Sequence, residues 1–321
     1  MAQAIDESSF SGPDHMATLE RDEPEPDRPD NWEDHEQMRR AYVGDYGGPI
    51  MWVEDTLAAD LDGFRNLKEH HSSEHIVAEG TETIRVLLST DFEVTAVLLK
   101  PSLFAGMRPS LESYGQRSGQ PPLVQLCEAK RMELITGIPA RHASAAIATA
   151  CRPPVLSAPS LPWRLHLPGG TAESLRVLAL DSIQDEADLG SIFRVASASA
   201  VQVILLSETC AEPYRRRPVR VSMGHVFRMP FVRGDLVEML AELRSASVHV
   251  VALRSSSFLA EGSDTPLELR DLPAIPDRWS CLLGPEDVDL RAQLLNLCDV
   301  QVAITKAQAA VAIGAGTCAA I

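Results

Sequence analysis

The sequence contains no apolar run near the roughly 18 residues that a bilayer-crossing helix needs, so no membrane span is expected. Its first residues carry neither a basic segment nor an apolar one, so no secretory signal is expected. The acidic start also does not fit a mitochondrial transit peptide, which is Arg-rich and poor in acids. Six cysteines (Cys127, Cys151, Cys210, Cys281, Cys298, Cys318) include no C-x-x-C pair. That argues against a disulfide framework or a zinc site and for reduced thiols in a reducing compartment such as the cytoplasm. Positive charge is scarce: the net formal charge is −16 over 321 residues. The deficit is uneven. Residues 1–50 hold 13 acids and 4 arginines, a net of −9, which leaves −7 for the other 271. Such a balance does not exclude a nucleic-acid partner, because phosphates meet a local patch rather than the average.

Residues 1–50 are polar, acidic and proline-containing, and read as a disordered acidic tail that cannot bury enough apolar surface to offset ordering entropy. From Trp52 the pattern changes. TLAADLDGFRNLKEHH carries apolar residues at helical spacing and predicts a helix. His75 to Ala78 reads as a short strand, followed by a Glu-Gly turn and an amphipathic helix. FEVTAVLLK is a strand, PPLVQLCEAKRMELITGI a strand and a helix, and ARHASAAIATACRPP a strand ended by prolines. Residues 51–154 are therefore expected to form a small α/β module. Residues 155–173 have linker composition, rich in proline with a Gly-Gly pair.

Residues 174–321 alternate strand and helix again. Strands are expected at Leu175–Leu180, Val201–Leu206, Val248–Leu253, Trp279–Leu283 and Val300–Ile304. Helices are expected from Leu189, over Leu236–Arg244, over Val288–Leu297 and over the small-residue terminus from Lys306. This is the pattern of a parallel α/β sheet covered on both faces.

Three features could carry chemistry. The C-terminal GAGTCA mimics a dinucleotide fingerprint, but that motif needs a following helix and a distant acid; close packing of small residues is the better account. His70, His71 and His75 have no further ligand at a recognisable spacing, and no metal site is expected. Arg215, Arg216, Arg217 and Arg220, with Arg228 and Arg233 following, make a local cationic group in an acidic chain. Guanidinium forks grip phosphate bidentately. Phosphate or nucleic-acid binding and an ordinary solvated loop with ion pairs both remain open on this group alone.

Motifs in the same region resemble the SpoU (TrmH-type) family of RNA ribose 2′-O-methyltransferases. DLGSIFRVA places Asp188, Gly190 and Arg194 on the family's Asn-x-Gly-x-x-x-Arg pattern. Arg220, Ser222, Met223 and Gly224 match its Arg-x-Ser-Met-Gly companion in full. LLGPEDVDL matches in part the Gly-x-Glu-Gly-x-Gly-Leu loop, at Gly284, Glu286 and Leu290. The third motif falls on Ile304-Thr305-Lys306 and Ala312-Ile313-Gly314. HIVAEGTETIRVLL and GIPARHASAAIA resemble the substrate-binding domain common in that family.

The resemblance implies a knotted (trefoil) parallel-sheet SPOUT methyltransferase domain over 174–321, preceded by a small α/β RNA substrate-binding domain. It implies S-adenosylmethionine as cofactor, tRNA or rRNA as substrate, and a homodimer. Carried over residue by residue, Arg194 and Glu286 take the catalytic positions, and Gly284, Ile304 and Ile313 the cofactor positions. Arg215, Arg216, Arg217, Arg220 and Ser222 fall on the RNA side. The chain departs from the pattern at Asp188 (Asn), at Asp287 and Asp289 (Gly), at Thr305 and Lys306 (Pro and Met), and at Ala312 and Gly314 (Ser and Asn). Two readings follow: a working methyltransferase, or a non-catalytic RNA-binding or ribosome-associated protein on the same fold.

Overall fold

Two sheets organise the chain. The computed structural model describes residues 46–65, 67, 75–138, 146–154, 156–157, 174–255, 267–268, 271, 276–285 and 287–304. Residues 46–321 form one compact unit.

The first sheet has strands β1 (Ile50–Trp52), β2 (His75–Glu79), β3 (Val94–Leu99), β4 (Leu123–Leu126) and β5 (Ala146–Cys151) in the order β1-β4-β3-β5-β2. β1, β4 and β3 run parallel, while β5 is antiparallel to β3 and β2. Helices α1 (Thr81–Leu88), α2 (Pro101–Ser118) and α3 (Ala129–Thr136) complete it.

Helix α2 is not expected from sequence, because Gly106, Pro109 and Gly115 interrupt it. It forms because Pro101 occupies the first turn, where no N–H is needed, and Gly119 ends it at φ 76°. Phe104, Met107, Leu111 and Tyr114 then bury one stripe. The Tyr114 hydroxyl accepts from the Val94 N–H at 2.8 Å and donates to the Phe92 carbonyl at 3.0 Å.

Three expectations are corrected here. The helix expected over TLAADLDGFRNLKEHH is only a 3-10 turn, Ala59–Phe64, within its described part. The Arg65 guanidinium donates to the carbonyls of Thr56 (2.9 Å) and Ala58 (2.8 Å), folding the segment back on itself. Residues 46–50, placed with the acidic tail by composition, belong to the fold. Tyr46 packs edge-on to Phe104 at 5.4 Å, and Ile50 pairs with Val124. Within the expected linker, Leu156–Ser157 form strand β6, paired with the second sheet.

The second sheet comprises β6, β7 (Leu175–Leu180), β8 (Val203–Ser207), β9 (Phe231–Gly234), β10 (His249–Ser255), β11 (Leu267–Glu268), β12 (Arg278–Leu283) and β13 (Val300–Ile304). Among the described residues the order is β11-β13-β10-β12-β7-β8-β9-β6, and every pairing is parallel. β12 follows β10 in the chain yet lies between β10 and β7. Helices α4 (Glu186–Ala198), α5 (Arg216–Val221), α6 (Leu236–Ser245) and α7 (Ala292–Leu295) accompany the strands.

Strands buried on both faces read as continuous apolar runs. Leu178, Ala179 and Leu180 are buried, as are all five residues of β8. One core joins Val177, Ala179, Val203, Leu205 and Val250 to Met239, Leu240 and Leu243 of α6 and Leu294 of α7.

Helix α4 starts three residues before the expected Leu189. The Asp185 carboxylate accepts from the N–H groups of Ala187 (2.7 Å) and Asp188 (2.8 Å), capping the first turn. Helix α7 is four residues where ten are expected, because the segment before it is held in ion pairs described below. The terminal helix expected from Lys306 and the histidines His70 and His71 lie outside the described residues. Among those described, no helix is long and apolar enough to cross a membrane.

Candidate functional site

The best-matched motif residues sit where the two sheets meet. Gly190 of α4 lies against α5: a Cβ there would meet the Pro218 carbonyl at 2.8 Å and Val221 Cβ at 2.9 Å. Glycine is thus required for the two helices to approach this closely. After α5 the chain turns through Met223 (φ 51°) and Gly224 (φ 81°). Gly224 rests on α1, where a Cβ would meet the Thr83 carbonyl at 3.0 Å. A positive φ and a backbone neighbour both demand glycine at this turn.

Ser222 is corrected as an RNA contact. Its side chain is fully buried, and its hydroxyl donates to the Val219 carbonyl at 3.0 Å, closing the last turn of α5. Arg216 is corrected in the same way. Its guanidinium grips the Glu79 carboxylate of β2 through Nε and through Nη2 (3.1 Å), and Nη1 reaches the Leu67 carbonyl at 3.4 Å. The Glu79 side chain is 1% exposed. Burial, and then the like charge of Arg220, lowers the Arg216 pKa below the ordinary arginine range. A fork committed to a buried carboxylate is not available to phosphate.

Further contacts strengthen this joint. Arg152 pairs with Glu212 at 2.7 Å and lies over the Tyr214 ring. Phe92 meets Tyr214 and Phe227 edge-on at 5.7 and 5.3 Å. Arg233 donates to the carbonyls of Cys210 (2.7 Å) and Ala211 (2.8 Å), which fixes the loop after β8.

The remaining cations face outward. Arg215 pairs with Glu186 at 3.0 Å. Arg194, Arg217 and Arg220 are exposed, and no ion pair forms on them among the described residues. His225 donates to or accepts from Ser197 at 2.8 Å. Its pKa is lowered, first by burial and then by the Arg228 and Arg194 guanidiniums. That places three cationic or potentially cationic side chains around the end of α4.

A folded histidine whose pKa lies below its unfolded value, about 6.5, resists protonation. Its neutral form supports the fold above that value, and stability falls as pH drops below it. By ring-resolved NMR titration, His225 is expected to titrate below the ordinary histidine range and to move back toward it in Arg228→Gln. A midpoint at or above that range in the wild type would refute the assignment.

The second group lies at the carboxyl ends of β10, β12 and β13. Leu253 is in register with Leu283, and Ser255 with Ile304, so Gly284 and Ile304 flank the end of β10. A Cβ at Gly284 would meet Leu290 Cδ2 at 2.8 Å, so a larger residue there would have to displace that side chain. Two ion pairs brace this loop. Arg254 of β10 holds Asp289 (Nε to Oδ1, 3.1 Å), and Arg291 holds the buried Asp181 at 3.0 and 2.8 Å. The hydrogen bonds that Arg291 donates to Asp181 raise its pKa. Glu286 and Ile313 lie outside the described residues, as does the side chain of Ile304. Neither Asp181–Arg291 nor Arg254–Asp289 was expected from sequence. A charged residue closing an apolar strand, as in LALD and VALR, is the signal that could have found them.

Similarity to known proteins agrees with this geometry. Residues 175–321 match the model of the SpoU rRNA Methylase family. A Mycobacterium bovis protein described as an uncharacterized tRNA/rRNA methyltransferase is 31% identical over 146 residues, 45% of this chain and 49% of that protein. The chain thus spans about half the length of the curated relatives it matches first. A 23S rRNA (adenosine(1067)-2′-O)-methyltransferase of Streptomyces laurentii is 26% identical over 254 residues, 77% of this chain and 87% of that one. Among solved structures, the AdoMet-bound rRNA methyltransferase from Sinorhizobium meliloti superposes with a TM-score of 0.65 at 19% identity, covering 85% of this chain and 95% of its own. The SpoU methyltransferase AviRb from Streptomyces viridochromogenes does so with a TM-score of 0.60 at 18% identity, covering 82% and 94%. Those two likenesses establish the fold alone. With the family model and the motif geometry, they make residues 175–321 a domain that belongs to the SpoU family.

Proposed function

We propose that the protein is an S-adenosylmethionine-dependent RNA ribose 2′-O-methyltransferase acting on tRNA or rRNA. One observation carries the reading. Arg194 is exposed without an ion-pair partner among the described residues, on a helix locked by Gly190 to an intact Arg-x-Ser-Met-Gly turn. We assign residues 51–154 to substrate binding, 155–173 to a linker and 174–321 to a knotted methyltransferase domain. We further propose a homodimer working in the cytoplasm.

The described residues fit the cofactor in part. Gly284 offers backbone without a side chain beside the end of β10, and Ile304 ends the strand on its other side. Gly284, Ile304 and Ile313 would hold the cofactor, which supplies an electrophilic methyl group when bound. Arg194 would orient an RNA phosphate, or the hydroxyl losing its proton, through charge-assisted hydrogen bonds. A guanidinium keeps its proton in water, so this role is orientation rather than proton acceptance. Glu286 is assigned to the substrate side. Arg215, Arg217 and Arg220 would contact RNA phosphates, with Arg216 and Ser222 supporting them from inside.

The non-catalytic reading also has support. Asp289, standing where the resembled motif has glycine, is tied to Arg254 and adds a fixed carboxylate beside the cofactor position. Calorimetric titration with S-adenosylmethionine separates the two. Saturable heat supports the enzyme. Its absence at about 1 mM ligand removes the enzyme reading and leaves RNA binding alone.

A further inference from the structure

We propose that a cleft at the amino ends of β7, β8 and β9 binds one further nucleotide of the RNA, its phosphodiester held by Arg176 and Arg228. The proposal rests on the RNA-substrate reading above and extends it to a surface away from the carboxyl ends of the strands. The cleft has a volume of ≈ 530 Å³. That lies within the range of small-ligand pockets and far exceeds one phosphate group.

Its walls divide by chemistry. Arg176, Arg228, Gln202 and Ser197 supply polar groups, while Met229 and Pro230 supply apolar surface. Arg176 and Arg228 are both exposed. Arg176 donates from Nη1 to the Ser199 carbonyl at 3.2 Å, and Arg228 from Nη2 to the Ser89 hydroxyl at 2.7 Å. A guanidinium has five N–H donors, so one such bond orients the fork and leaves donors for a ligand.

Charge selects the ligand class. In a chain of net charge −16, Arg215, Arg216, Arg233, Arg244, Arg254 and Arg291 of this half each have a carboxylate partner. Among the described residues, Arg176 and Arg228 have none. Two guanidiniums left without a carboxylate at one cleft, as Arg194, Arg217 and Arg220 are left elsewhere on this half, favour an anion there.

Position selects a polymer over a free ion. Ser197 lies one helical turn beyond Arg194, about 4.5 Å along α4. Its hydroxyl meets His225, which feels both Arg194 and Arg228. Arg194, His225 and Arg228 are thus electrostatic neighbours, and Ser197, bonded to His225, lines the cleft. An RNA strand positioned at Arg194 passes into the cleft with its next phosphates.

The test is fluorescence anisotropy with a labelled single-stranded oligouridylate, from about 50 to about 300 mM KCl. Arg176→Gln and Arg228→Gln are each expected to weaken binding several-fold and to lower the salt slope by about 1. Arg228→Gln also loses its bond to Ser89, so Arg176→Gln, whose site is a solvent-facing strand position, is the decisive variant. An unchanged slope in Arg176→Gln, with wild-type protein binding normally, overturns the inference and leaves the RNA reading intact. Wild-type protein that fails to bind the probe over the whole range overturns both. A phosphorus NMR titration with inorganic phosphate separates the sources. Saturable phosphate binding lost in Arg176→Gln, together with an unchanged RNA slope, assigns the cleft to free phosphate and overturns the inference.

Discussion

Replacing Arg216 with methionine is expected to cost about 3–5 kcal/mol of folding stability, because it leaves a buried carboxylate without its partner. The Glu79 side chain is 1% exposed and that of Arg216 26%, so solvent screens the pair little. Removing one member leaves the other's desolvation uncompensated, which is costlier than removing both. The double variant Glu79→Gln/Arg216→Met should therefore recover most of the loss. In thermal unfolding the single variant should lower Tm by roughly 10 °C. A shift under about 2 °C, or a double variant no better than the single one, would show that the pair is not the fastener between β2 and α5. The same loosening should weaken RNA binding, since Arg215, Arg217 and Arg220 flank Arg216 on the same segment.

Arg194→Ala is expected to leave stability within about 0.5 kcal/mol of wild type, as for exposed positions away from packed features. Methyl incorporation into RNA should nevertheless fall by about 100-fold or more, the usual effect of losing one preorganised donor at a developing charge. Lysine at this position keeps the charge but loses the planar fork, so only partial recovery is expected. Unchanged incorporation in the alanine variant would remove Arg194 from the chemistry. Incorporation lost together with the Tm would instead assign it a structural role.

Much of the second sheet was legible because buried parallel strands are spelled as apolar runs. Leu175–Leu180 and Val300–Ile304 form strands over the residues expected. Periodicity likewise located α6 to within a residue. What escaped the sequence depends on chemistry between distant segments. Helix α2 hid behind two glycines and an internal proline, and only its burial against the first sheet outweighs those breakers. The 3-10 turn at Ala59–Phe64 carries a helical apolar spacing, but Arg65 captures the carbonyls that would begin a helix.

The site was legible by type rather than by role. Ser222 and Arg216 look like surface RNA contacts in a run of arginines, and both turn inward. Nothing local to RRRPVRVSMG reveals that Glu79, 137 positions earlier, lies buried opposite Arg216. The cleft at Arg176 and Arg228 was equally hidden, since its two guanidiniums come from a strand and a turn far apart in the chain.

The placement of β12 between β7 and β10 has a consequence for how the protein is made. β7 emerges from the ribosome about 100 residues before β12, at a rate of roughly 5–20 residues per second. Through that interval the side of β7 that will face β12 has no partner, and once β10 emerges its facing side has none either, so each presents an unsatisfied row of backbone donors and acceptors until β12 arrives. The sheet closes only when a late segment is inserted into a gap already flanked by folded structure. Long sequence separation makes such pairing slow. The growing chain is therefore most vulnerable to edge-to-edge association just before residues 278–283 arrive.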